Sequence, residues 1–257
     1  IFQIVISQKF QSKVKSDPFN LYRSLRMVNP SPYMAFFDFG SWYLIGSSPE
    51  VMVKAEKNKN NQIVASLRPI AGTRPRGKDA EQDLKFEKDL LKDPKEISEH
   101  VMLIDLGRND LGRVCKIGTV DELFGMYTFD QVHHMISTIS CELDEGKTIK
   151  DVLEATFPMG SMTGAPKINA MKLIEKFEKT KRGLYSGAVG YISPEGNFDF
   201  NVVIRSIQYH SLNRYLSFMV GSAITIGSDP ELEYEECIIK VKALFEVLEG
   251  KYAQTVS

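Results

Sequence analysis

Two pairs of glutamates have a spacing that suits metal binding. Glu96 and Glu99 precede an apolar run, and Glu233 and Glu236 lie near the other end of the chain, at the start of a second helical-looking run. Residues three apart project from one face of a helix, so each pair would present two carboxylates together. We expect the two pairs to face one another across a divalent cation, although a Glu-x-x-Glu pair is more often a solvated surface.

Four further stretches have the composition of anion-binding sites. Residues 68–77 (RPIAGTRPRG) combine glycines with arginine, and residues 157–167 (FPMGSMTGAPK) place hydroxyls and a lysine before a predicted helix N-terminus, which attracts anions. Arg205 lies in an apolar predicted strand, where a buried charge needs a carboxylate partner or a ligand. Residues 220–225 (VGSAIT) would leave backbone N–H groups open to a ligand. Each stretch also has a purely structural interpretation, as a turn, the start of a helix or an internal ion pair.

Together these features predict an anionic substrate of modest size and a magnesium ion. All-oxygen ligation without a histidine or cysteine cluster suits a hard cation, and no nucleotide-binding glycine motif is present. The three cysteines have no metal-type spacing, and an odd number in a chain of 257 residues is typical of reduced thiols in a cytosolic protein. We therefore expect a cytoplasmic enzyme with carboxylate metal ligands.

Composition argues against several other classes of protein. The 32 basic and 33 acidic residues nearly cancel, which disfavours nucleic acid or an anionic membrane as a partner. No apolar run approaches the roughly 20 residues that a membrane helix needs, and no signal-like segment is present. Because the sequence starts at Ile1 without an initiating methionine, we expect it to begin inside a longer protein.

Strands and helices are predicted in blocks along the chain. Alternating apolar residues and turn residues predict strands at residues 1–10, 33–39, 42–45, 51–55, 63–67, 186–192, 199–210 and 215–226. Apolar periodicity predicts helices at residues 17–28, 147–156, 167–179 and 231–248 and in the segment that begins near Lys95. This order favours an α+β fold over a doubly wound parallel sheet. No linker is evident, so we expect one catalytic domain over residues 1–257.

The remaining segments are predicted less completely. Residues 68–77 and 158–166 are predicted as loops, and the pattern does not assign residues 121–132. The helix at residues 167–179 is predicted to be amphipathic, and its apolar face would consist of Ile168, Met171, Ile174 and Phe177.

The chain as a whole resembles the chorismate-utilising enzymes, a family that includes anthranilate synthase, aminodeoxychorismate synthase, isochorismate synthase and salicylate synthase. The resemblance rests on ordered motifs at residues 48–50 (SPE), 69–77 (PIAGTRPRG), 99–110 (EHVMLIDLGRND), 164–167 (GAPK), 187–191 (GAVGY), 204–205 (IR) and 228–236 (SDPELEYEE). It implies an α+β fold of two packed antiparallel sheets surrounded by helices. It also implies that an N-terminal part of the fold is missing from this sequence.

The resemblance assigns roles to the carboxylates. Glu99 and Glu236 would bind Mg²⁺ directly and Glu96 and Glu233 would hold its waters, while the metal takes the ring carboxylate of chorismate. Glu50 matches the general acid that protonates the departing C4 hydroxyl, a role that needs a carboxyl protonated near neutral pH.

The resemblance also implies a set of substrate contacts. His134 would lie beside the ring, and Lys167 is counted with the catalytic residues. The enolpyruvyl carboxylate would be held by Tyr185, Arg205 and the backbone of Gly221, Ser222 and Ala223. Other implied substrate-binding residues are Gly72, Thr73, Ser161, Thr163 and Lys240.

Two positions bear on which reaction is catalysed. Gln3 stands where the isochorismate and salicylate enzymes carry a water-activating lysine, which favours ammonia as the nucleophile. Residues 160–167, 122–124 and 132–138 are similar to aminodeoxychorismate synthase. Ala71 is instead typical of anthranilate synthases, whereas some aminodeoxychorismate synthases carry a lysine at that position.

We therefore predict an aminodeoxychorismate synthase component I, which makes 4-amino-4-deoxychorismate on the way to p-aminobenzoate and folate. Its ammonia would come from a separate glutamine amidotransferase subunit, because the sequence has no Cys/His hydrolase signature. The nearest alternative is anthranilate synthase component I. An isochorismate synthase and a non-catalytic chorismate-binding subunit are further alternatives.

Overall fold

The computed structural model describes residues 1–115, 118–129 and 132–249. These residues form two antiparallel sheets and six α-helices, which confirms the predicted α+β class. The chain divides into two compact units. The first unit consists of Ile1–Pro49, Met162–Val189 and Asn201–Ser257, and the second of Glu50–Ser161 and Gly190–Phe200. That residues 1–257 act as one catalytic domain stays a prediction.

The elements follow one another in short alternating groups. The strands are β1 (Gln3–Lys13), β2 (Tyr33–Asp38), β3 (Trp42–Ser48), β4 (Val51–Lys57), β5 (Ile63–Leu67), β6 (Ile70–Pro75), β7 (Thr119–Thr128), β8 (Val132–Glu142), β9 (Gly164–Ala165), β10 (Ala188–Ile192), β11 (Phe198–Val202), β12 (Ser206–His210) and β13 (Tyr215–Thr225). The α-helices are α1 (Pro18–Val28), α2 (Ala80–Leu90), α3 (Pro94–Leu111), α4 (Ile149–Thr156), α5 (Lys167–Phe177) and α6 (Pro230–Leu248).

The sheet of the first unit joins strands from the two ends of the chain. Its order is β2-β3-β12-β13-β1-β9. Strand β1 pairs with β13 along its whole length, from Gln3 opposite Thr225 to Lys13 opposite Tyr215. Since β1 also pairs with β9 through Gln3 and Ile4, it lies inside the sheet and not at an edge.

Helices α1 and α6 pack on this sheet and are fixed by similar N-terminal signals. Asp17 and Asp229 cap the helices by accepting hydrogen bonds from backbone N–H groups, and each is followed by a proline in the first helical turn. The core between helices and sheet includes Leu21, Leu25, Ile45, Ile207, Leu216, Phe218, Val241 and Leu244. Each such large side chain contributes roughly 1.5–3 kcal/mol by leaving water.

The sheet of the second unit is built around β8. Its order is β10-β11-β4-β5-β8-β6. Strand β7 is outside this linear order and pairs with β8 in an antiparallel ladder. Helix α3 buries a stripe at helical spacing, formed by His100, Leu103, Ile104, Gly107 and Leu111. A methyl group on Gly107 would approach the Ile139 Cδ1 atom to 2.8 Å, so this glycine permits close packing of α3 against β8.

Two loop and strand predictions were wrong. Residues 68–77 contain a strand, β6, whose ladder is completed by β8 some sixty residues later, so no local signal could reveal it. Residues 199–210 form two strands in different sheets, β11 and β12. Arg205 lies half-buried in the break between them and has a φ angle of 48°, a left-handed conformation that interrupts a strand.

The predicted apolar face of α5 is buried at Ile174 but not at its other three residues. Ile168, Met171 and Phe177 are 64%, 41% and 59% exposed. The buried positions are Lys167, Ala170 and Ile174, which share one side of the helix at the usual spacing. The exposed side of α5 therefore carries apolar residues, whereas its buried side includes a lysine.

The expectation of three reduced thiols was wrong for two of them. Cys115, just after α3, and Cys141, near the end of β8, form a disulfide with a Cα–Cα distance of 6.1 Å. The sequence separation of 26 residues hides this pairing, because it arises from the packing of α3 against β8. Cys237 is a free buried thiol. Among the helices of the described residues, none combines the length and apolarity that crossing a membrane requires.

Candidate functional site

The predicted general acid, Glu50, lies at the junction of β3 and β4 in a buried position. It belongs to the second unit, as does Ser161, whose Oγ atom donates a 2.8 Å hydrogen bond to the Glu50 Oε1 atom. Ser161 lies on the short 3₁₀ turn Gly160–Met162. The structure therefore brings together two of the predicted residues and fixes the orientation of the carboxyl group.

A second cluster of predicted residues forms where β6 pairs with β8. Thr73 lies opposite His134 in the ladder, and its Oγ1 atom shares a 3.0 Å hydrogen bond with the His134 Nδ1 atom. Gly72 has a φ angle of 90°, and a methyl group there would lie 2.8 Å from the Leu90 Cδ1 atom and 3.4 Å from the Glu96 Oε2 atom. The glycine thus lets the backbone pass directly beside the Glu96 carboxylate.

Arg74 links this strand to the start of α3. Its guanidinium binds Asp93 at 2.6 Å and Glu96 at 3.1 Å. Asp93 caps α3 through the backbone N–H groups of Lys95 and Glu96. Although burial acts in the opposite direction, those N–H groups and the Arg74 charge hold the pKa of Asp93 below its ordinary value. Glu96 is thus oriented by Arg74, which suits a carboxylate that holds metal-bound water.

Arg76, the residue after β6, forms a second arginine–carboxylate group. It binds Asp83 through Nε at 3.0 Å and through its terminal nitrogen at 2.7 Å. Asp83 also accepts hydrogen bonds from the Gly77 N–H at 2.6 Å and faces the His133 Nε2 atom at 2.9 Å. The hydrogen bonds from Arg76 and Gly77 hold the pKa of Asp83 well below its ordinary value. This group fixes α2 to the ends of β6 and β8.

His100 is a buried histidine that our sequence reasoning missed. Its Nε2 atom lies 2.7 Å from the Ser137 Oγ atom, and the Phe124 N–H donates to the same oxygen at 2.9 Å. Burial lowers the pKa of His100 to about 4, against a smaller opposing interaction with the backbone of Ala71. The sequence signal that indicates its burial is its helical spacing with Leu103 and Gly107, which are also buried on α3.

The predicted residues of the first unit line up along β1 and β13. Gln3 is buried, and the Val5 N–H donates to the Thr163 carbonyl at 2.9 Å. Gly164 has a φ angle of 133°, and a methyl group there would collide with the Gln3 carbonyl. The segment that carries Thr163 therefore lies directly against β1, where the buried Lys167 begins α5.

Gly221 is the centre of the other cluster in this unit. A methyl group on Gly221 would lie 3.0 Å from the Tyr185 hydroxyl oxygen. The Lys240 ammonium donates to the Gly221 carbonyl at 3.3 Å and pairs with Glu236 at 2.5 Å. The neighbouring Ser222 hydroxyl donates to the buried Glu233 carboxylate. Of the predicted metal carboxylates of α6, Glu233 thus contacts the strand predicted to bind substrate directly and Glu236 is linked to it through Lys240. Ala223 follows on the same strand, opposite Val5.

The carboxylates have the chemistry that Mg²⁺ requires. Each helix supplies two, Glu96 and Glu99 on α3 and Glu233 and Glu236 on α6. Carboxylate oxygens are the usual ligands of this ion, and the arginine, lysine and hydroxyl partners described above orient three of them. Within either unit, the described residues contain no group of three or more histidine, cysteine or acidic side chains close enough to hold a metal. That these four carboxylates bind one Mg²⁺ stays a prediction.

Comparison with known proteins identifies the class. The family model for chorismate binding enzymes matches residues 1–246, so the chain belongs to the chorismate-binding enzyme family. The chain is 49% identical over 254 residues to anthranilate synthase component 1 of Synechocystis sp., with 96% of this chain and 50% of the relative covered. It is 45% identical over 251 residues to anthranilate synthase component 1 of Aquifex aeolicus, with coverages of 97% and 49%.

A solved structure agrees with these relatives. Anthranilate synthase component I of Streptococcus pneumoniae superimposes with a TM-score of 0.84 at 39% identity, covering 94% of this chain and 52% of that chain. The chain thus spans about half the length of the relatives that it matches.

These findings correct the predicted reaction. The prediction of aminodeoxychorismate synthase, with its p-aminobenzoate and folate pathway, was wrong, and the anthranilate synthase alternative fits the relatives better. The three stretches that favoured aminodeoxychorismate synthase, residues 122–124, 132–138 and 160–167, are poor guides to the reaction. Ala71, which favoured anthranilate synthase, agrees with the comparisons.

Proposed function

We propose that this chain is the catalytic part of an anthranilate synthase component I. It converts chorismate and ammonia to anthranilate and releases pyruvate as the ring becomes aromatic. The observation that carries the proposal is the 45–49% identity, over nearly the whole chain, to relatives with that name. Ala71 and Gln3 support it, because neither supplies the lysine associated with the alternative reactions.

The second unit supplies the acid chemistry in this proposal. Glu50 donates a proton to the C4 hydroxyl, which leaves as water, and Ser161 holds the carboxyl in the required orientation through its 2.8 Å hydrogen bond. His134 lies beside the ring and is held by Thr73. Both groups are buried, which limits the access of water as a competing nucleophile.

The first unit supplies the groups that bind the substrate carboxylates. The backbone at Gly221, the Tyr185 hydroxyl and Arg205 would hold the enolpyruvyl carboxylate, and Lys240 orients the Gly221 carbonyl. The glutamates of α3 and α6 would hold Mg²⁺, which when bound supplies positive charge for the ring carboxylate. Ammonia would come from a glutamine amidotransferase subunit.

Product identity tests the proposal. The full-length protein should be incubated with chorismate, Mg²⁺ and ammonium, and the products should be followed by anthranilate fluorescence and by a coupled assay for pyruvate. We expect both products in equal amounts. A product that yields p-aminobenzoate only after addition of a lyase, isochorismate formed without ammonium, or no turnover would each contradict the proposal.

A further inference from the structure

A largely buried ion pair of the first unit contacts segments that carry predicted substrate-binding residues. The Arg182 terminal nitrogen approaches the Glu178 Oε1 atom to 2.7 Å, and the Arg182 Nε atom donates to Glu178 Oε2 at 3.0 Å. Only 14% of the arginine side chain and 5% of the glutamate side chain are exposed. Burying two charges is costly, so this pair needs further partners to be stable.

Both members of the pair reach the backbone of neighbouring segments. Glu178 accepts hydrogen bonds from the Ser7 N–H at 2.8 Å and from the Ser7 hydroxyl at 2.7 Å. Arg182 donates to the Met162 carbonyl at 2.6 Å and to the Val5 carbonyl at 2.8 Å. The pair therefore ties β1 to the residue that precedes Thr163.

Arg182 is also in contact with Tyr185. The guanidinium carbon lies 5.8 Å from the centre of the Tyr185 ring, and the Tyr185 N–H donates to the Arg182 carbonyl at 3.1 Å. The Tyr185 hydroxyl in turn lies beside Gly221. One guanidinium thus contacts both the tyrosine and the segment that leads to Thr163.

We propose that Arg182, held by Glu178, is a positioning residue for chorismate binding. It fixes Tyr185 and the segment at residues 162–167 against β1, and it acts through those groups. The guanidinium offers five N–H donors in a planar fork and uses them on four oxygens, the two of Glu178 and the carbonyls of Met162 and Val5. A lysine ammonium has only three donors, on a single nitrogen. This inference rests on the proposed function.

The variant Arg182→Lys keeps the charge and removes the fork of donors. We expect the KM for chorismate to rise about tenfold with a smaller change in kcat, because binding groups are displaced while Glu50 is untouched. Calorimetric titration with chorismate in the absence of ammonia should show the same loss of affinity. The matched control is Lys181→Met, since Lys181 pairs with Glu175 on the surface and its side chain is 83% exposed. The control should leave both constants unchanged.

A double-mutant cycle with Tyr185→Phe tests the route of the effect. If Arg182 acts through Tyr185, the two changes together should raise KM by less than the product of their separate effects. Equal affinity of wild type and Arg182→Lys would overturn the inference. If Arg182→Lys does not fold, Ser7→Ala removes only one donor to Glu178 and should raise KM about threefold; an unchanged KM in that variant would also overturn it. Absence of anthranilate from the wild type would instead contradict the proposed function.

Discussion

Glu50 is the residue whose proposed role is most open to a direct kinetic test. Replacement by glutamine keeps the shape and the hydrogen bond from Ser161 but removes the acidic proton. We expect kcat to fall by about 10²–10⁴-fold with little change in KM, as is usual for the loss of a general acid. Steady-state assays at saturating ammonium would measure both constants.

The control for this prediction lies on β4, the strand that follows Glu50. Glu56 is exposed and forms a surface ion pair with Lys54, so Glu56→Gln should leave kcat and KM unchanged. A Glu50→Gln enzyme with near wild-type kcat would show that another group protonates the leaving hydroxyl.

The lowered pKa of Asp83 predicts how the free energy of unfolding depends on pH. Arg76, Gly77 and His133 hold its folded pKa below the ordinary value of 3.8, so the charged carboxylate favours the folded state. This stabilisation is fully present above the ordinary pKa and is lost as pH falls below it. The free energy of unfolding of the wild type should therefore begin to drop as the pH falls below about 4 and should continue to drop below pH 3.

The variant Asp83→Asn should have a lower stability at neutral pH and a flatter acid profile, measured by urea denaturation at several pH values. Asp105→Asn is the control, because its side chain is 70% exposed and its nearest cation is 3.9 Å away. An acid profile for Asp83→Asn parallel to that of the wild type would assign the acid sensitivity to other groups.

At the scale of secondary-structure elements, the irregularity inside β6, where its register with β8 shifts between Ile70 and Thr73, depends on one glycine. Gly72 and Gly40 both have positive φ angles, 90° and 81°, but only Gly72 is closely surrounded. Alanine at either position should cost about 1–2 kcal/mol of backbone strain. At Gly72 the methyl group would also press on Leu90, which should add roughly 1–3 kcal/mol.

Urea denaturation of Gly72→Ala and Gly40→Ala separates these two contributions. We expect the larger loss at Gly72, together with weaker chorismate binding, because Thr73 and Glu96 lie beside it. Equal losses in the two variants would mean that Leu90 moves aside without cost.

Elements with local signals were predictable from the sequence. The ends of α1 and α6 are specified by Asp17 and Asp229, each followed by proline, and the predicted bounds lie within one residue of those observed. Strand β6 was not predictable, because its partner β8 is distant in sequence. The break at Arg205 was missed for a related reason: an apolar run cannot show which of two sheets each half will join.

The candidate site shows the same division between local and distant information. Helical spacing predicted that Glu96 and Glu99 share α3, but not that Arg74 would bind one of them. The buried His100 and the partly buried Asp83 and Arg182 have no motif of their own, since their roles depend on contacts made after folding. The name that the relatives share agrees with one buried residue, Ala71, and not with the similarity at residues 122–124, 132–138 and 160–167.

At the scale of the whole molecule, the chain passes between its two units four times. A fragment of residues 1–161 would keep β4 to β8 but lose β12 and β13, the strands that join β3 to β1. Hydrogen exchange should then show protection retained in β5 and β8 and lost in β1 and β3, since an isolated hairpin is marginally stable. The full chain under the same conditions is the control, and protected amides in β1 of the fragment would contradict the prediction.

The pairing of β1 with β13 also constrains how the protein is made. About 200 residues separate the two strands, and ribosomes add roughly 5–20 residues per second. The buried side chains of β1, among them Ile4 and Val5, must therefore wait on the order of 10–40 seconds for their partner strand to emerge. During that interval the segment is an exposed apolar strand on a nascent chain, so efficient production should depend on chaperones that bind such segments at the ribosome.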